Sequence, residues 1–295
     1  MVRISRRTAI KSALFGGAVA VGATTASATE SVEPPADARG LLYDATLCIG
    51  CKACVTACKD ANGLPADTAG PHGLWDRPDD LNAKTKNIIK LYRSGDTTSF
   101  VKRQCMHCVD PACVGACMMG ALKKREYGIV SWDGSKCVGC RYCQIACPYN
   151  IPKFEWEMAG FYNPKIVKCE LCRHRLAEGR DPACTEVCPR HAVIYGTREE
   201  LLKEAHRRIA ANPTLYQPNV YGEHDGGGTQ VLYLSHVPFD KLGLPALGGE
   251  SAAATTRKVQ GTIYKGFVAP VALYGVLATI VSRNQRRAGE EGERS

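Results

Sequence analysis

Sixteen cysteines in this chain of 295 residues fall into four groups of four, and none lies outside the groups. The groups are Cys48, Cys51, Cys54, Cys58; Cys105, Cys108, Cys113, Cys117; Cys137, Cys140, Cys143, Cys147; and Cys169, Cys172, Cys184, Cys188. Pro148 and Pro189 follow two of them directly. In a run spaced C-x2-C-x2-C-x3-C-P, three thiolates bind one [4Fe-4S] cube and the fourth faces a different cube. The pattern therefore predicts iron–sulfur clusters held by cysteine groups that work in pairs.

Two other uses of the cysteines deserve comparison. An exported chain with an even number of cysteines suits a disulfide framework, but disulfides need no repeated C-x2-C spacing. Zinc ribbons do use paired C-x2-C knuckles, yet a third cysteine two residues on and a fourth after three more are typical of cubanes. The spacing favours four [4Fe-4S] clusters over both alternatives.

The N-terminus reads SRRTAIK from Ser5 to Lys11, then a weakly apolar stretch that ends in Ala26-Ser27-Ala28. This order is typical of a twin-arginine export signal, predicted here for residues 1–28. Thiolate clusters are assembled in a reducing compartment, so a loaded protein would cross the membrane folded. Removal of the signal lowers the net charge from +9 to +5. Because no basic run remains, no nucleic-acid partner is expected.

Near the C-terminus, Ile263 to Val281 form an apolar stretch interrupted only by Lys265. As a helix this stretch would be about 28 Å long, which spans a hydrocarbon core. Three arginines follow it, Arg283, Arg286 and Arg287, and the positive-inside rule places them in the cytoplasm. We therefore expect a transmembrane helix at 262–282, a cytoplasmic tail at 283–295 and the intervening body on the periplasmic side; a buried C-terminal helix is the alternative.

The body between the termini predicts an α+β fold of two nested units, each like a bacterial ferredoxin. Residues 105–150 form the inner unit, with the second and third cysteine groups. The outer unit is split, because residues 29–104 supply the first group and an insert, and residues 151–255 supply the fourth group and an extension. Local patterns predict strands at 41–43 and 193–195, a hairpin of 88–93 with 98–102, a helix at 111–119, a hairpin through Tyr127-Gly128 into 129–132, a capped helix from Thr197 to about Ala211 and a strand at 230–234.

The cysteine pattern resembles that of the electron-transfer subunits of membrane oxidoreductases such as formate dehydrogenase, dimethyl sulfoxide reductase and nitrite reductase. The resemblance rests on the four groups, on the four residues between Cys108 and Cys113 and on the long spacing between Cys172 and Cys184. A closer resemblance is to the HybA family of hydrogenase-2 iron-sulfur subunits. It rests on the export signal, the segment Gly160 to Cys169, the stretch Tyr221 to Phe239 (YGEHDGGGTQVLYLSHVPF) and the C-terminal helix. The resemblance covers nearly the whole chain.

This resemblance implies that the first group pairs with the fourth and the second with the third. The implied ligand sets are Cys48, Cys51, Cys54 with Cys188; Cys169, Cys172, Cys184 with Cys58; Cys105, Cys108, Cys113 with Cys147; and Cys137, Cys140, Cys143 with Cys117. It also implies a non-catalytic subunit that relays electrons from the small and large subunits of a periplasmic nickel-iron hydrogenase to a polytopic quinone-binding membrane subunit. An equivalent subunit of formate dehydrogenase or another molybdopterin oxidoreductase is the alternative.

Outside the cysteines, the chain contains no catalytic constellation, no G-x-G-x-x-G motif and no P-loop. His107 lies inside the second group, and we expect it near a cluster or at the surface rather than as a ligand. Lys153, Lys165 and Lys168 flank the third and fourth groups. These lysines would raise cluster potentials or meet an acidic partner, and the alternative is a solvated face.

Overall fold

The structure is a computed structural model that describes residues 32–67, 79–155 and 165–292. It divides into a folded body, residues 31–255, and a second unit that contains residues 256–295. The predicted twin-arginine signal lies outside the described residues, as does the part of the segment Gly160 to Cys169 before Lys165. The mixture of helices and strands confirms the α+β class.

The described residues contain nine strands and seven α-helices, joined by turns and loops. The strands are β1 Arg39–Asp44, β2 Ile88–Ser94, β3 Thr97–Arg103, β4 Leu122–Lys124, β5 Val130–Trp132, β6 Lys153–Glu155, β7 Lys165–Val167, β8 Val193–Thr197 and β9 Val231–Leu234. The helices are α1 Ala53–Ala61, α2 Ala112–Gly115, α3 Tyr142–Ile145, α4 Arg173–Ala177, α5 Ala183–Glu186, α6 Arg198–Ala211 and α7 Ala252–Gly292. Most of the helices that carry cysteines are only one turn long, so the cysteine groups lie largely in turns.

A three-stranded sheet in the order β8-β1-β9 flanks the first and fourth cysteine groups. β1 pairs antiparallel with β8, with Leu41 opposite Tyr195, which confirms the predicted strands on either side of these groups. β1 also pairs in parallel with β9, with Leu41 opposite Val231. A Cβ on Gly40 would lie 2.0 Å from the Gln230 carbonyl oxygen, so this close strand approach requires glycine.

Helix α6 covers one face of the three-stranded sheet. A capping box starts it: the Glu200 N–H donates to Thr197 Oγ1 at 3.2 Å, and the Thr197 N–H donates to Glu200 Oε2 at 3.1 Å. Leu201 and Ala205 are buried against Leu42 and Leu232 of the sheet. The predicted capped helix is confirmed in position and length.

The second and third cysteine groups frame the small hairpin β4–β5, with Leu122 opposite Trp132. Its turn requires left-handed backbone at Tyr127, φ +57°, and Gly128, φ +70°, and the predicted hairpin is confirmed. Helix α2 ends at Gly115, which makes the predicted helix at 111–119 too long. The chain turns instead, and Gly120 adopts φ +59°, because this turn lets the Ala121 N–H donate to the Cys117 sulfur at 3.2 Å.

One side chain joins the hairpin of the inner cysteine groups to the sheet of the outer groups. Gln230 is fully buried, and its Nε2 donates to the carbonyl oxygens of Arg39 on β1 and of Tyr127 in the turn, at 2.5 and 2.6 Å. A Cβ on Gly128 would meet the same amide at 2.9 Å. The residue that precedes β9 therefore fixes the inner hairpin to the outer sheet.

The four remaining strands form two further hairpins. β2 and β3 pair antiparallel from Ile88 opposite Arg103 to Ser94 opposite Thr97, which confirms the hairpin predicted in the insert. β6 pairs with β7, with Phe154 opposite Ile166. Each hairpin contributes buried aliphatic or aromatic side chains to the surroundings of the cysteines, among them Ile88, Val101, Phe154 and Ile166.

The second unit contains most of the long helix α7, Ala252–Gly292, with Pro270 inside it. Its segment Gly266–Gln285 has a mean hydropathy of 1.5 and no buried share, and it is the one segment of the described residues that is long and apolar enough to cross a membrane. Apolar side chains of this segment such as Phe267, Val271 and Leu273 are exposed.

Candidate metal centres

All sixteen cysteines lie within the described residues, and every one is a free thiol. Within those residues, no three side chains of His, Cys, Asp or Glu converge on a point where a single metal ion would sit. A disulfide joins two sulfurs directly, and no cysteine of the described residues forms one.

The first set of predicted ligands surrounds one pocket. Cys48, Cys51 and Cys54 line this pocket together with Cys188, which comes from the end of the fourth group. The loop curls around the pocket because Gly50 and Lys52 adopt left-handed φ angles of +70° and +58°. The Gly50 N–H donates to Cys48 Sγ at 3.5 Å.

The packing of helix α1 on α5 brings the first group to the fourth. Cys58 ends its group on α1, and burial together with the nearby Cys169 raises the pKa of its thiol to about 12. Cys172 also lies close enough to raise this pKa, and the Leu171 N–H donates to Cys169 Sγ at 3.4 Å. Cys58 thus lies with cysteines of the fourth group, as its predicted set requires.

Helices α2 and α3 pack against each other and bring the second group to the third. Burial raises the pKa of Cys108 well above its ordinary value, and the nearby Cys105, Cys147 and Cys113 raise it further. Their arrangement matches the third predicted set.

The fourth predicted set gathers in the same way around Cys143. Burial raises the pKa of the Cys143 thiol to about 11, and Cys137, Cys117 and Cys140 raise it further. Each of the four predicted sets is therefore brought together in the folded body.

Cysteines of neighbouring sets also lie close to one another. Cys184 of the second set lies near Cys54 of the first, and Cys169 of the second lies near Cys105 of the third. Cys113 of the third set lies near Cys143 of the fourth. The sets therefore follow one another in a row, and the two exposed cysteines, Cys51 and Cys140, belong to the sets at its two ends.

Comparison with known proteins agrees with this geometry. A family model described as a 4Fe-4S dicluster domain matches residues 97–198. The hydrogenase-2 operon protein HybA of Escherichia coli O157:H7 is 41% identical over 98% of this chain and 98% of its own length. The chain belongs to the HybA family. The protein of the same name from Shigella flexneri gives the same values. A nitrate-inducible formate dehydrogenase iron-sulfur subunit of E. coli K12 is 33% identical over 86% of this chain and 87% of its own length.

His107 of this HybA-family chain is fully buried beside the third set, which is the first of the two positions expected for it, near a cluster or at the surface. Its Nδ1 accepts the Val130 N–H at 3.1 Å, which leaves the proton of a neutral ring on Nε2. Burial, and then the charges of Lys168 and Lys124, lower the pKa of His107 well below its usual value. The side chain is therefore a neutral N–H donor, and its Nε2 has no acceptor among the described residues.

Two lysines are buried among the cysteines. Lys168 is 3% exposed and donates through Nζ to the carbonyl oxygens of Val130 and Cys169, so the solvated face considered for it is wrong. Lys153 of β6 is half-buried, and the side chain of Lys165 lies outside the described residues. Lys102 of β3 is 1% exposed, and sequence reasoning missed it because the cysteines near it, Cys54, Cys58, Cys169 and Cys184, lie far from it along the chain.

These features of the HybA-family chain fit [4Fe-4S] clusters. Four cysteine sets, backbone N–H groups that donate to cysteine sulfur and left-handed turns in the cysteine loops are the features expected of such sites. The buried donors Lys102 Nζ and His107 Nε2 have no acceptor among the described residues. Cluster sulfur and thiolate are the acceptors that would satisfy them.

Proposed function

We propose that this HybA-family chain is the electron-transfer subunit of a hydrogen:quinone oxidoreductase. It relays electrons through four [4Fe-4S] clusters from a periplasmic nickel-iron hydrogenase catalytic dimer to a membrane subunit that reduces quinone. The observation that carries the proposal is the meeting of four cysteine sets in one row, in a chain similar over its whole length to the HybA proteins.

The ligand sets are those that the family resemblance implies. They are Cys48, Cys51, Cys54 and Cys188; Cys169, Cys172, Cys184 and Cys58; Cys105, Cys108, Cys113 and Cys147; and Cys137, Cys140, Cys143 and Cys117. Support comes from the pocket that the first set lines and from the packing of α1 on α5 and α2 on α3. Two nested ferredoxin-like units follow from the same pairing, the outer one split by residues 105–150.

The chemistry that such clusters supply when bound is one-electron transfer with little reorganisation. The chain itself fixes the thiolates and keeps water away. Eight of the sixteen cysteines are buried, and backbone N–H groups of Gly50, Ala121 and Leu171 donate to cysteine sulfur. Such donors and the exclusion of water set the potential at each site.

The exposed cysteines in the two end sets of the row suit electron exchange with partner subunits. Cys51 of the first set and Cys140 of the fourth are exposed, whereas the second and third sets contain only buried or half-buried cysteines. The electron is therefore expected to enter at one of these ends and to leave at the other.

A hydrogenase partner is favoured over a molybdopterin partner by the extent of the similarity. HybA of E. coli O157:H7 matches 98% of the chain at 41% identity, whereas the formate dehydrogenase subunit matches 86% at 33%. The formate dehydrogenase assignment remains the second candidate because both kinds of relative are similar across the cysteine groups.

The proposed location is the periplasmic face of the cytoplasmic membrane. The apolar segment Gly266–Gln285 of α7 supports a C-terminal membrane anchor with a cytoplasmic tail, because Arg286 and Arg287 follow it. The arginine pair Arg6-Arg7 supports export of the folded, loaded body. This anchor would hold one end of the row of cysteine sets near the quinone-reducing subunit.

Affinity purification from detergent-solubilised membranes tests the function. The full-length chain is expected to recover nickel-iron hydrogenase subunits and a polytopic quinone-binding protein. The matched control is a chain that ends before Thr256, which should keep the hydrogenase subunits and lose the polytopic protein. Recovery of a molybdopterin protein in place of hydrogenase would overturn the hydrogenase assignment while leaving the electron-transfer role intact.

A further inference from the structure

Lys102 is the most completely buried lysine or arginine among the described residues of the folded body. It lies on β3 opposite Ile89, and only 1% of its surface is exposed. Its Nζ has no hydrogen-bond acceptor within the described residues. Lysine is almost never fully buried without a partner, because desolvating an unpaired ammonium costs several kcal/mol or more. The structure must therefore supply an anion when the protein is loaded.

The side chain extends into the space between the first and second cysteine sets. Lys102 lines the pocket that Cys48, Cys51, Cys54 and Cys188 surround. It also lies close enough to Cys58 and Cys184 of the second set for its charge to lower the pKa of both thiols, against the larger effect of burial. Lys102 is thus a single cation shared by two neighbouring sets.

Two buried tyrosines hold the strand segment that carries Lys102. The Tyr43 hydroxyl donates to the Phe100 carbonyl oxygen at 2.9 Å, and the Tyr233 hydroxyl donates to the Lys102 carbonyl oxygen at 2.8 Å. The two rings pack edge to face with their centroids 5.6 Å apart. Since hydroxyls from the three-stranded sheet bind β3 at both positions, the backbone that carries Lys102 is held in place.

Burial lowers the pKa of the Lys102 ammonium, but the nearby cysteines of both sets, first Cys54 and Cys184, raise that pKa above its ordinary value. Lys168, the other buried lysine, differs because its Nζ already donates to two backbone carbonyl oxygens. Lys102 Nζ has no acceptor among the described residues, and cysteines of the first and second sets lie near it.

We propose that Lys102 is a tuning cation that raises the reduction potentials of the clusters held by the first and second sets. The inference rests on the proposed function, since it requires those two clusters. Adding one electron to either cluster adds one negative charge beside a fixed positive charge, and no proton need be taken up. A cation in a poorly solvated site stabilises the reduced form more than the oxidised form.

The test is an anaerobic redox titration of the full-length protein, followed by electron paramagnetic resonance. Lys102→Met removes the charge at similar length, and Lys102→Arg keeps it. The matched control is Lys90→Met, because Lys90 lies on the neighbouring strand β2 with its side chain 38% exposed and paired with Asp80. Iron and sulfide are counted in every variant.

In Lys102→Met, two of the four couples should move to lower potential. At the wild-type midpoint of each, the ratio of oxidised to reduced cluster should rise from one to about ten or more, which corresponds to about 59 mV for a one-electron couple. The other two couples of Lys102→Met should keep the wild-type ratio within about threefold. All four couples of Lys102→Arg and of Lys90→Met should do the same. A Lys102→Met protein with its full iron content and four unchanged potentials would overturn the inference.

A second readout does not depend on how Lys102→Met folds. Wild-type protein labelled with 15N only at lysine Nζ should show a nitrogen hyperfine coupling to the two clusters concerned, and the coupling common to both clusters should vanish in Lys102→Arg. Absence of any lysine nitrogen coupling in the wild type would contradict the proposal. A wild-type protein with fewer than four clusters would instead contradict the proposed function, so the two failures are distinguishable.

Discussion

Cys188→Ser is expected to damage the same cluster as Cys51→Ser, although the two residues lie at opposite ends of the cysteine groups. Both line the pocket of the first set. The pairing follows because α1 and α5 pack together and β1 pairs with β8, which places the end of the fourth group beside the first. Loss of one of four thiolates should abolish or convert that one cluster and leave the other three intact. Electron paramagnetic resonance of the reduced proteins, with iron counts, gives the measurement.

Matched controls come from the same groups. Cys184 lies four residues before Cys188 but belongs to the second set, near Cys169 and Cys58. Cys184→Ser should therefore remove a different signal from the one that Cys188→Ser removes. If Cys188→Ser and Cys184→Ser damaged one common cluster, each group would hold its own cluster and the pairing of first with fourth would be wrong.

Removal of iron is expected to unfold the body almost completely. A small core around the second and third groups contains eight buried residues, and three of them are the cysteines Cys113, Cys137 and Cys143. Without clusters, the buried cations Lys102 and Lys168 also lose the negative charge beside them. A structural metal site supplies about 10 kcal/mol or more of folding free energy, which is comparable to the whole stability of a domain.

Anaerobic chelation followed by circular dichroism and limited proteolysis measures this loss. Strand signal and protease resistance of the body should disappear together. Helix α7 serves as an internal reference, because residues 256–295 form a separate unit that contains no cysteine. An iron-free body would contradict the account if it stayed protease-resistant and unfolded cooperatively with a midpoint near that of the cluster-containing protein.

Local chemistry made much of the fold predictable. Thr197 and Glu200 start α6 because their reciprocal hydrogen bonds depend only on neighbours in sequence. The hairpin at 88–103 and the turn at Tyr127-Gly128 follow in the same way from strand and turn patterns. The cysteine spacing likewise indicated the kind of cofactor, since sulfur positions repeat with the geometry of a cube.

Long-range contacts account for what the sequence did not reveal. The strand at 231–234 was expected, but nothing local indicated that it would pair in parallel with β1. Burial of His107 and Lys102 depends on packing between elements distant in the chain, and both residues are of types usually found at the surface or partly exposed. The short helix α2 ends at Gly115, and the turns after it place the sulfur of Cys117 where it accepts the Ala121 N–H, a contact that a helix pattern does not predict.

A count of clusters in the purified, anaerobic full-length protein tests the central claim most directly. Four cysteine sets predict about sixteen iron and sixteen sulfide atoms per chain, a brown protein and four separate one-electron couples in a redox titration. A colourless protein that contains zinc or disulfides, or one that holds two clusters and eight iron atoms with half of its cysteines free, would contradict the claim that this chain is a four-cluster electron relay.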